Sequence, residues 1–280
     1  MRCELLAPVS SSSAMPILHT RPEPGIALVT ISNPERRNAL GLEEFEGLAQ
    51  GWDMLAKDPE VRCVVLTGAG DKAFCSGAQL DVDFSVCPDI DHMIDQALLK
   101  TRLFCLPMVA AVNGHCVAGG FELMLASDVR VGSTLAKLGL PEVHWGIVPS
   151  GGAAMKLVEQ IGHARAMQLM LTAELVTAAQ ALQFGLLNEV VEPEQVLPRA
   201  MHYARLIAGN SPLAVAHTKQ LALAGRAEIW QAREVQERRS ANIVRASADF
   251  TVGRHAFLKK TKPAYLSVNP GILNSLKVDT

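Results

Sequence analysis

Ala111-Val112-Asn113-Gly114-His115-Cys116-Val117-Ala118-Gly119-Gly120-Phe121-Glu122-Leu123 holds a strand end, a turn and a helix start in one short run. Met108–Val112 is continuously apolar, as a strand buried on both faces should be. Asn113-Gly114 then turns the chain. Gly119-Gly120 opens a helix expected to run to about residue 126. Free N–H groups at a helix start behind two glycines suit an anion or an oxyanion. Glu122 in the first helical turn has two readings that this stretch leaves open. It is a carboxylate complementing the helix dipole, worth less than about 1 kcal/mol, or it is a chemical group. His115 and Cys116 read as packing or loop residues.

Outward from this point, strands alternate with helices. Ile26–Ile31 is apolar and β-branched, and Asn33-Pro34 ends it. Residues 41–57 carry Leu42, Phe45, Leu48, Trp52 and Leu55 at spacings of three and four, which predicts an amphipathic helix. A buried strand is expected at residues 61–67, a helix at 91–105 and a short strand at 128–131. Such alternation predicts βαβ units and largely parallel pairing. Beyond Gly146 helical segments dominate, with one more strand at 187–191. Pro193 and Pro212 each fit a helix start, and Asn210-Ser211-Pro212 marks a boundary. The organisation read from the chain is a loose tail at 1–15, a core at 16–210 and a helical region at 211–280.

Composition excludes several classes. Hydrophobic residues are 49% and charged residues 19% of 280, too greasy for a disordered chain. The net charge of −2 offers no overall positive field for nucleic acid or anionic lipid. Mean hydropathy of +0.19 points to surface buried between subunits. The longest apolar region, 105–131, is broken by Asn113, His115, Glu122 and Asp128, so no plain membrane span is expected. The cysteines contain no C-x-x-C pair and no zinc-ligand spacing, and they read as reduced, mostly buried residues of a cytoplasmic protein without a metal. No Gly-rich phosphate loop, G-x-S-x-G elbow or H-E-x-x-H occurs. Asp81-Val82-Asp83 reads as a solvated loop.

Two further segments carry chemistry. Ala73-Phe74-Cys75-Ser76-Gly77-Ala78-Gln79-Leu80 follows a strand, and its small residues let a ligand approach the backbone. A tight packed turn is the plainer reading of it alone. Leu140-Pro141-Glu142-Val143-His144-Trp145-Gly146-Ile147-Val148-Pro149-Ser150-Gly151-Gly152 sets a carboxylate among apolar residues before a glycine-rich turn. An apolar setting raises a carboxyl pKa and suits acid–base work. The alternative is a loop glutamate in solvent, and exposure is the expectation for His144.

Together the three segments resemble the crotonase superfamily, the enoyl-CoA hydratase/isomerase family, in order, spacing and residue type. The resemblance extends to Asn33-Pro34-Glu35-Arg36-Arg37-Asn38-Ala39-Leu40, to residues 165–187 and to Ala256-Phe257-Leu258-Lys259-Lys260. It implies an α/β spiral of ββα turns forming two roughly perpendicular sheets, followed by helices used in trimer assembly, as a homotrimer or a dimer of trimers. It implies an acyl-CoA thioester substrate, with CoA part of the substrate and no separate cofactor. By motif position the thioester carbonyl falls to the N–H groups of Ala78 and Gly119, the reacting water to Glu122 and Glu142, and a further hold on that water to the Ser150 N–H. Both carboxylates being present favours hydration of a 2-enoyl-CoA; carnitinyl-CoA dehydration and double-bond isomerisation are the alternatives.

The sequence departs from the family pattern in places. Gln79 stands where many members have Asp, and the glycines after Pro149 are shifted. The lysine commonly contacting CoA phosphate is replaced by Glu35, which leaves Arg36 as the candidate. Lys259, Lys260 and Lys262 are candidates for the 3′-phosphate, with a solvated charged face as the alternative. One family branch binds RNA through lysines on its early helix. Here that helix carries Glu43, Glu44, Glu46 and Asp53 against Lys57, which argues against RNA.

Overall fold

The structure is a computed structural model describing residues 15–265. Apart from Met15, the expected tail lies outside the described residues. The strands are β1 (Ile17–Glu23), β2 (Ile26–Ile31), β3 (Cys63–Gly68), β4 (Ala73–Cys75), β5 (Met108–Val112), β6 (His115–Val117), β7 (Val129–Ser133), β8 (Lys137–Gly139), β9 (Val176–Thr177) and β10 (Glu189–Val191). The helices are α1 (Leu42–Ala56), α2 (Ile90–Ala97), α3 (Gly119–Met124), α4 (Ala153–Ile161), α5 (His163–Thr172), α6 (Ala178–Phe184), α7 (Val196–Ala208), α8 (Pro212–Leu223), α9 (Arg226–Arg245) and α10 (Ala248–Lys259). The boundary read at 210/211 falls between α7 and α8.

Two sheets share the strands. The larger runs β1-β2-β3-β5-β7-β10 and the smaller β4-β6-β8-β9. The chain visits them in alternation: β3 then β4, β5 then β6, β7 then β8. Each pair is one turn of a spiral, with α2 and α3 inside the returns. Pairing is parallel except at β1–β2 and β8–β9.

The central strands are apolar throughout because both faces are covered. Val64 and Leu66 of β3 pack with Phe45, Leu48 and Trp52 of α1. Their neighbours Cys63 and Val65 face the other way and meet Ala200, Met201 and Ala204 of α7. The period of two along one strand thus serves two separate cores.

Several expectations change. The helix foreseen at 91–105 ends at Ala97. Leu99 turns to φ +50°, the Lys100 N–H donates to the Asp95 carbonyl at 2.9 Å, and the Thr101 N–H donates to the Asp95 carboxylate at 2.8 Å. That closure stops the helix inside an apolar run. Strands β4, β6, β8 and β9 are two or three residues long, too short to show a period. β1 is a half-solvated edge strand whose polar residues hide it. Cys63, Cys75, Cys87 and Cys116 are buried, but Cys105 is exposed, and Cys3 lies outside the described residues.

Asn38 pins the first loop of the spiral. It is fully buried at φ +55°. Its Nδ2 donates to the Ala69 and Ala73 carbonyls at 3.0 and 2.7 Å, and its Oδ1 accepts from the Asn33 N–H at 3.0 Å. Replacing it with alanine strands these backbone groups and keeps the unfavourable φ. We expect Asn38→Ala to lose about 2–4 kcal/mol of stability, read as a lower urea midpoint.

Candidate active site

Parallel pairing lines up the ends of β4, β6 and β8. The smaller sheet pairs Ala73 with His115, Cys75 with Cys116, Cys116 with Leu138 and Val117 with Gly139. The residues that follow each strand therefore emerge side by side at one sheet edge. After β4 come Ser76, Gly77 and Ala78. After β6 come Ala118, Gly119 and, one helical turn on, Glu122. After β8 come Leu140, Pro141 and Glu142. Each turn of the spiral delivers one part of the site.

The backbone donors arise from strand geometry. Leu40 accepts from the Gln79 N–H at 2.9 Å and donates to the Gly77 carbonyl at 2.8 Å. In a parallel bridge of this pattern the intervening residue, Ala78, points its own N–H to the opposite side. That side faces Gly119: a Cβ built there would lie 3.8 Å from the Ala78 nitrogen. Among the described residues, the turn, loop and cap hydrogen bonds assign no acceptor to the N–H of Ala78, Gly119 or Ser150. Gly77 sits at φ +83°, and a Cβ on it would meet the Ala118 Cβ at 2.6 Å. A Cβ on Gly120 would collide with the Cys75 carbonyl. These glycines let two backbones come close enough to share one small anion. Ala118 itself takes φ +52°, ψ −130°, a costly conformation for a residue with a Cβ, directly beside the site.

Both glutamates are buried, Glu122 at 4% and Glu142 at 7% exposure. Glu142 is therefore not the solvent-facing loop residue that its local sequence allowed. Glu122 Oε1 accepts from the Gly151 N–H at 2.7 Å and the Ala153 N–H at 3.1 Å. Burial lifts its carboxyl from the usual 4.5 to about 7, and the charge of Glu237 pushes the same way. The two N–H groups and Lys100 oppose that rise without cancelling it. Glu142 begins a short 3₁₀ turn at Glu142–Trp145. Burial and the neighbouring Glu122 charge hold its carboxyl well above the ordinary range, and its Oε2 has no hydrogen-bond partner among the described residues. Leu98 closes one wall: its Cδ1 lies 2.5 Å from a Cβ placed on Gly151 and 3.9 Å from one placed on Gly119. His144 is exposed, as expected.

The basic candidates divide. The Arg36 guanidinium bonds the Gln79 Oε1 at 2.8 Å, beside Ala78, and pairs with the Asp81 carboxylate. Lys259 and Lys260 stand exposed at the C-terminal end of α10. That helix packs on the Glu142 turn through Gly253 and Gly146, and its Arg254 donates to the Leu80 carbonyl at 2.8 Å. Sequence reading missed Arg254, Lys100, Lys156, Glu234 and Glu237. Lys156 is buried on α4 and donates to the Leu99 carbonyl at 2.5 Å. Glu234 and Glu237 come from α9 and Lys100 from the loop after α2, and of these Glu237 and Lys100 act on Glu122. Among the described residues no group of three His, Cys, Asp or Glu could hold a metal, and no helix is long and apolar enough to cross a membrane.

Comparison with known proteins identifies the family and the fold. Residues 21–267 match the model of the family described as enoyl-CoA hydratase/isomerase. The chain is 40% identical over 196 residues to the enoyl-CoA hydratase EchA19 of Mycobacterium tuberculosis, covering 67% of this chain and 73% of that protein. It is 35% identical over 243 residues to the (E)-benzylidenesuccinyl-CoA hydratase of Thauera aromatica, covering 86% and 95%. A solved carnitinyl-CoA dehydratase from Mycobacterium avium superposes with a TM-score of 0.83 at 36% identity, over 91% of this chain and 100% of that one. The chain belongs to the enoyl-CoA hydratase/isomerase family, the crotonase superfamily, and its two sheets and C-terminal helices are the crotonase fold.

The carboxyl pair makes stability depend on pH. Each glutamate has a folded pKa above its unfolded one, so the stability it contributes is fully present below about 4.5 and is lost as pH rises through the folded value. For Glu122 the rise from 4.5 to about 7 corresponds to roughly 3 kcal/mol of ionisation cost at pH 8. Glutamine carries no such cost and still accepts from Gly151 and Ala153. Glu122→Gln and Glu142→Gln should therefore melt higher than wild type at pH 8, and the gain should vanish near pH 4.5 in calorimetry.

Proposed function

We propose that this protein hydrates a 2-enoyl-CoA thioester, adding water across the C2=C3 bond. The observation that carries this reading is the meeting, at one sheet edge, of two buried carboxyl groups and two backbone N–H groups to which the turn, loop and cap hydrogen bonds of the described residues assign no acceptor. Glu122, with two N–H donors on one oxygen, is the more easily ionised of the pair and serves as base. Glu142, with an unpartnered oxygen and a carboxyl that burial and the Glu122 charge push toward the protonated form, serves as acid.

Glu122 takes a proton from water as the oxygen attacks C3. The electron pair of the double bond moves onto the thioester oxygen, where the Ala78 and Gly119 N–H groups hold it. Glu142 then delivers its proton to C2 as the carbonyl re-forms. The Ser150 N–H, next to Gly151, would steady the water. For CoA the candidates remain Arg36 and the Ala78 backbone, with Lys259 and Lys260 for the 3′-phosphate. The Arg36–Gln79 bond supports the first, since it ties the cation to the residue after Ala78. Assembly as a trimer or dimer of trimers is supported by exposed apolar residues on the C-terminal helices, among them Leu213, Leu221, Ile229, Val235 and Ile243. The hydratase and dehydratase names of the relatives point to the same reaction class.

Loss of conjugated-thioester absorbance across a panel of enoyl-CoA esters tests the reaction. Glu122→Gln and Glu142→Gln should each lower kcat by roughly 10²–10⁴, and the double variant should cost far less than the product of the two. Thioester binding should survive, because its carbonyl is held by backbone. Full activity in Glu122→Gln with a dead Glu142→Gln would leave one working base and make isomerisation the better reading.

A further inference from the structure

Helix α9 carries Trp230, Glu234, Glu237 and Ala241 along one face, and all four are buried. Two carboxylates thus occupy positions where an amphipathic helix ordinarily places apolar side chains. They surround Lys100, which is 4% exposed: its Nζ lies 3.3 Å from Glu234 Oε1 and 3.1 Å from Glu237 Oε1. Glu234 is also bonded by the Arg238 Nε at 2.8 Å. Glu237 is less well served. Its oxygens make no well-formed hydrogen bond among the described residues, and its polar neighbours are the Lys100 ammonium and the Gly152 N–H.

Gly152 is the middle of the turn that holds Glu122. The N–H groups on either side of it, from Gly151 and Ala153, donate to Glu122 Oε1. The Gly152 N–H faces the other way, toward Glu237. Lys100 lies flat against this glycine: a Cβ built there would be 3.4 Å from Lys100 Cγ and 3.7 Å from Lys156 Cε. The turn is therefore gripped from two sides, by Glu122 within the site and by the Lys100–Glu237 pair behind it. A buried ion pair is a poor source of stability, since apolar residues of similar volume usually serve as well. Its retention at the back of the glutamate's cradle calls for another role.

We propose that Lys100 and Glu237 are positioning residues, an ion pair brought in by helix α9 that braces the Gly151-Gly152-Ala153 turn and sets the electrostatic field at Glu122. The charges facing Glu122 are then Glu142 from the 3₁₀ turn, Lys100 from the loop after α2, Lys156 from α4 and Glu237 from α9. Glu237 in turn faces Lys100 and Glu234, while Lys156 also faces Asp95 and Arg130. Glu237 raises the basicity of Glu122, Lys100 lowers it, and the pair together keeps it poised. The inference rests on Glu122 being the base of the proposed reaction.

The test uses Glu237→Gln, Lys100→Met and the double variant in the full-length chain, with crotonyl-CoA as substrate. Glu237→Gln removes an anion, so the rising limb of the kcat/KM–pH profile should move to lower pH. Lys100→Met removes a cation, so the limb should move to higher pH. Relative to each plateau, an effect of about threefold at pH 6 is expected in opposite directions. The double variant, neutral and spared an unpaired buried charge, should return the limb near wild type. KM should stay within about twofold, because both side chains are buried behind the 151–153 turn, against Gly152. Amide exchange at Gly151 and Ala153 should quicken in all three. Unmoved limbs, limbs moving in one direction, or unchanged exchange would overturn the proposal. If the wild-type protein hydrates no enoyl-CoA, the functional reading fails on its own, and the amide exchange still decides whether the pair braces the turn.

Discussion

The parallel register of three very short strands is the constraint on which the rest of the site depends. β4, β6 and β8 contribute few hydrogen bonds, yet their pairing brings three loop starts to one edge. A slip of one residue in any of them would turn the following backbone N–H groups away from one another. Little in these strands themselves resists such a slip. Resistance comes from the larger sheet, where β3, β5 and β7 pair over four residues or more and are packed on both faces. Asn113 joins the two levels: it donates to the Gly68 and Gly70 carbonyls at 2.9 and 2.7 Å, fixing where the chain leaves β3 relative to β5. Rigidity in the apolar sheet is thereby converted into placement in the small one.

The electrostatics of the site follow from the same closeness. Burying Glu122, Glu142 and Glu237 around one glycine-rich turn concentrates negative charge where water is scarce. Ionising all of them at once is costly, so protons distribute unequally. The Gly151 and Ala153 N–H groups favour the ionised form of Glu122, while an orphaned oxygen and the Glu122 charge favour the protonated form of Glu142. In the proposed reaction, division of labour between acid and base thus needs no difference in residue type. It comes from which glutamate the 151–153 turn faces.

The sequence made the larger pattern legible and hid the supporting shell. Residues 26–31, 42–56 and 108–112 announce themselves through apolar period, because burial on two faces or one face leaves that mark. Glu122 and Glu142 stood out only jointly, through the order of three segments. Each alone has an ordinary explanation, and burial removes the solvent-facing one for Glu142. Strands of two or three residues carry no period to read. Glu234 and Glu237 look like the solvated face of a charged helix, although their spacing with Trp230 and Ala241 traces a single stripe. That spacing is the signal the sequence carries, and charged residues hide it because a buried helix stripe is ordinarily apolar. Lys100 was concealed by an expected helix that in fact ends at Ala97.

Gln79 shows how one departure from a family pattern alters a charge balance. Its Oε1 accepts from Arg36 at 2.8 Å while its Nε2 donates to the Ala39 carbonyl at 3.2 Å. An ionised aspartate could accept but not donate, so the second bond requires the amide. An aspartate would also bring a second carboxylate to Arg36, which already pairs with Asp81. With Gln79 in place, Arg36 has one anionic partner, about half exposed, rather than two. A phosphate bound there, as proposed for CoA, would compete with this solvent-screened ion pair, and exposed pairs of this kind are worth about 1 kcal/mol or less. In the proposed acyl-CoA complex the amide would therefore leave the cation available, tied to the residue after Ala78.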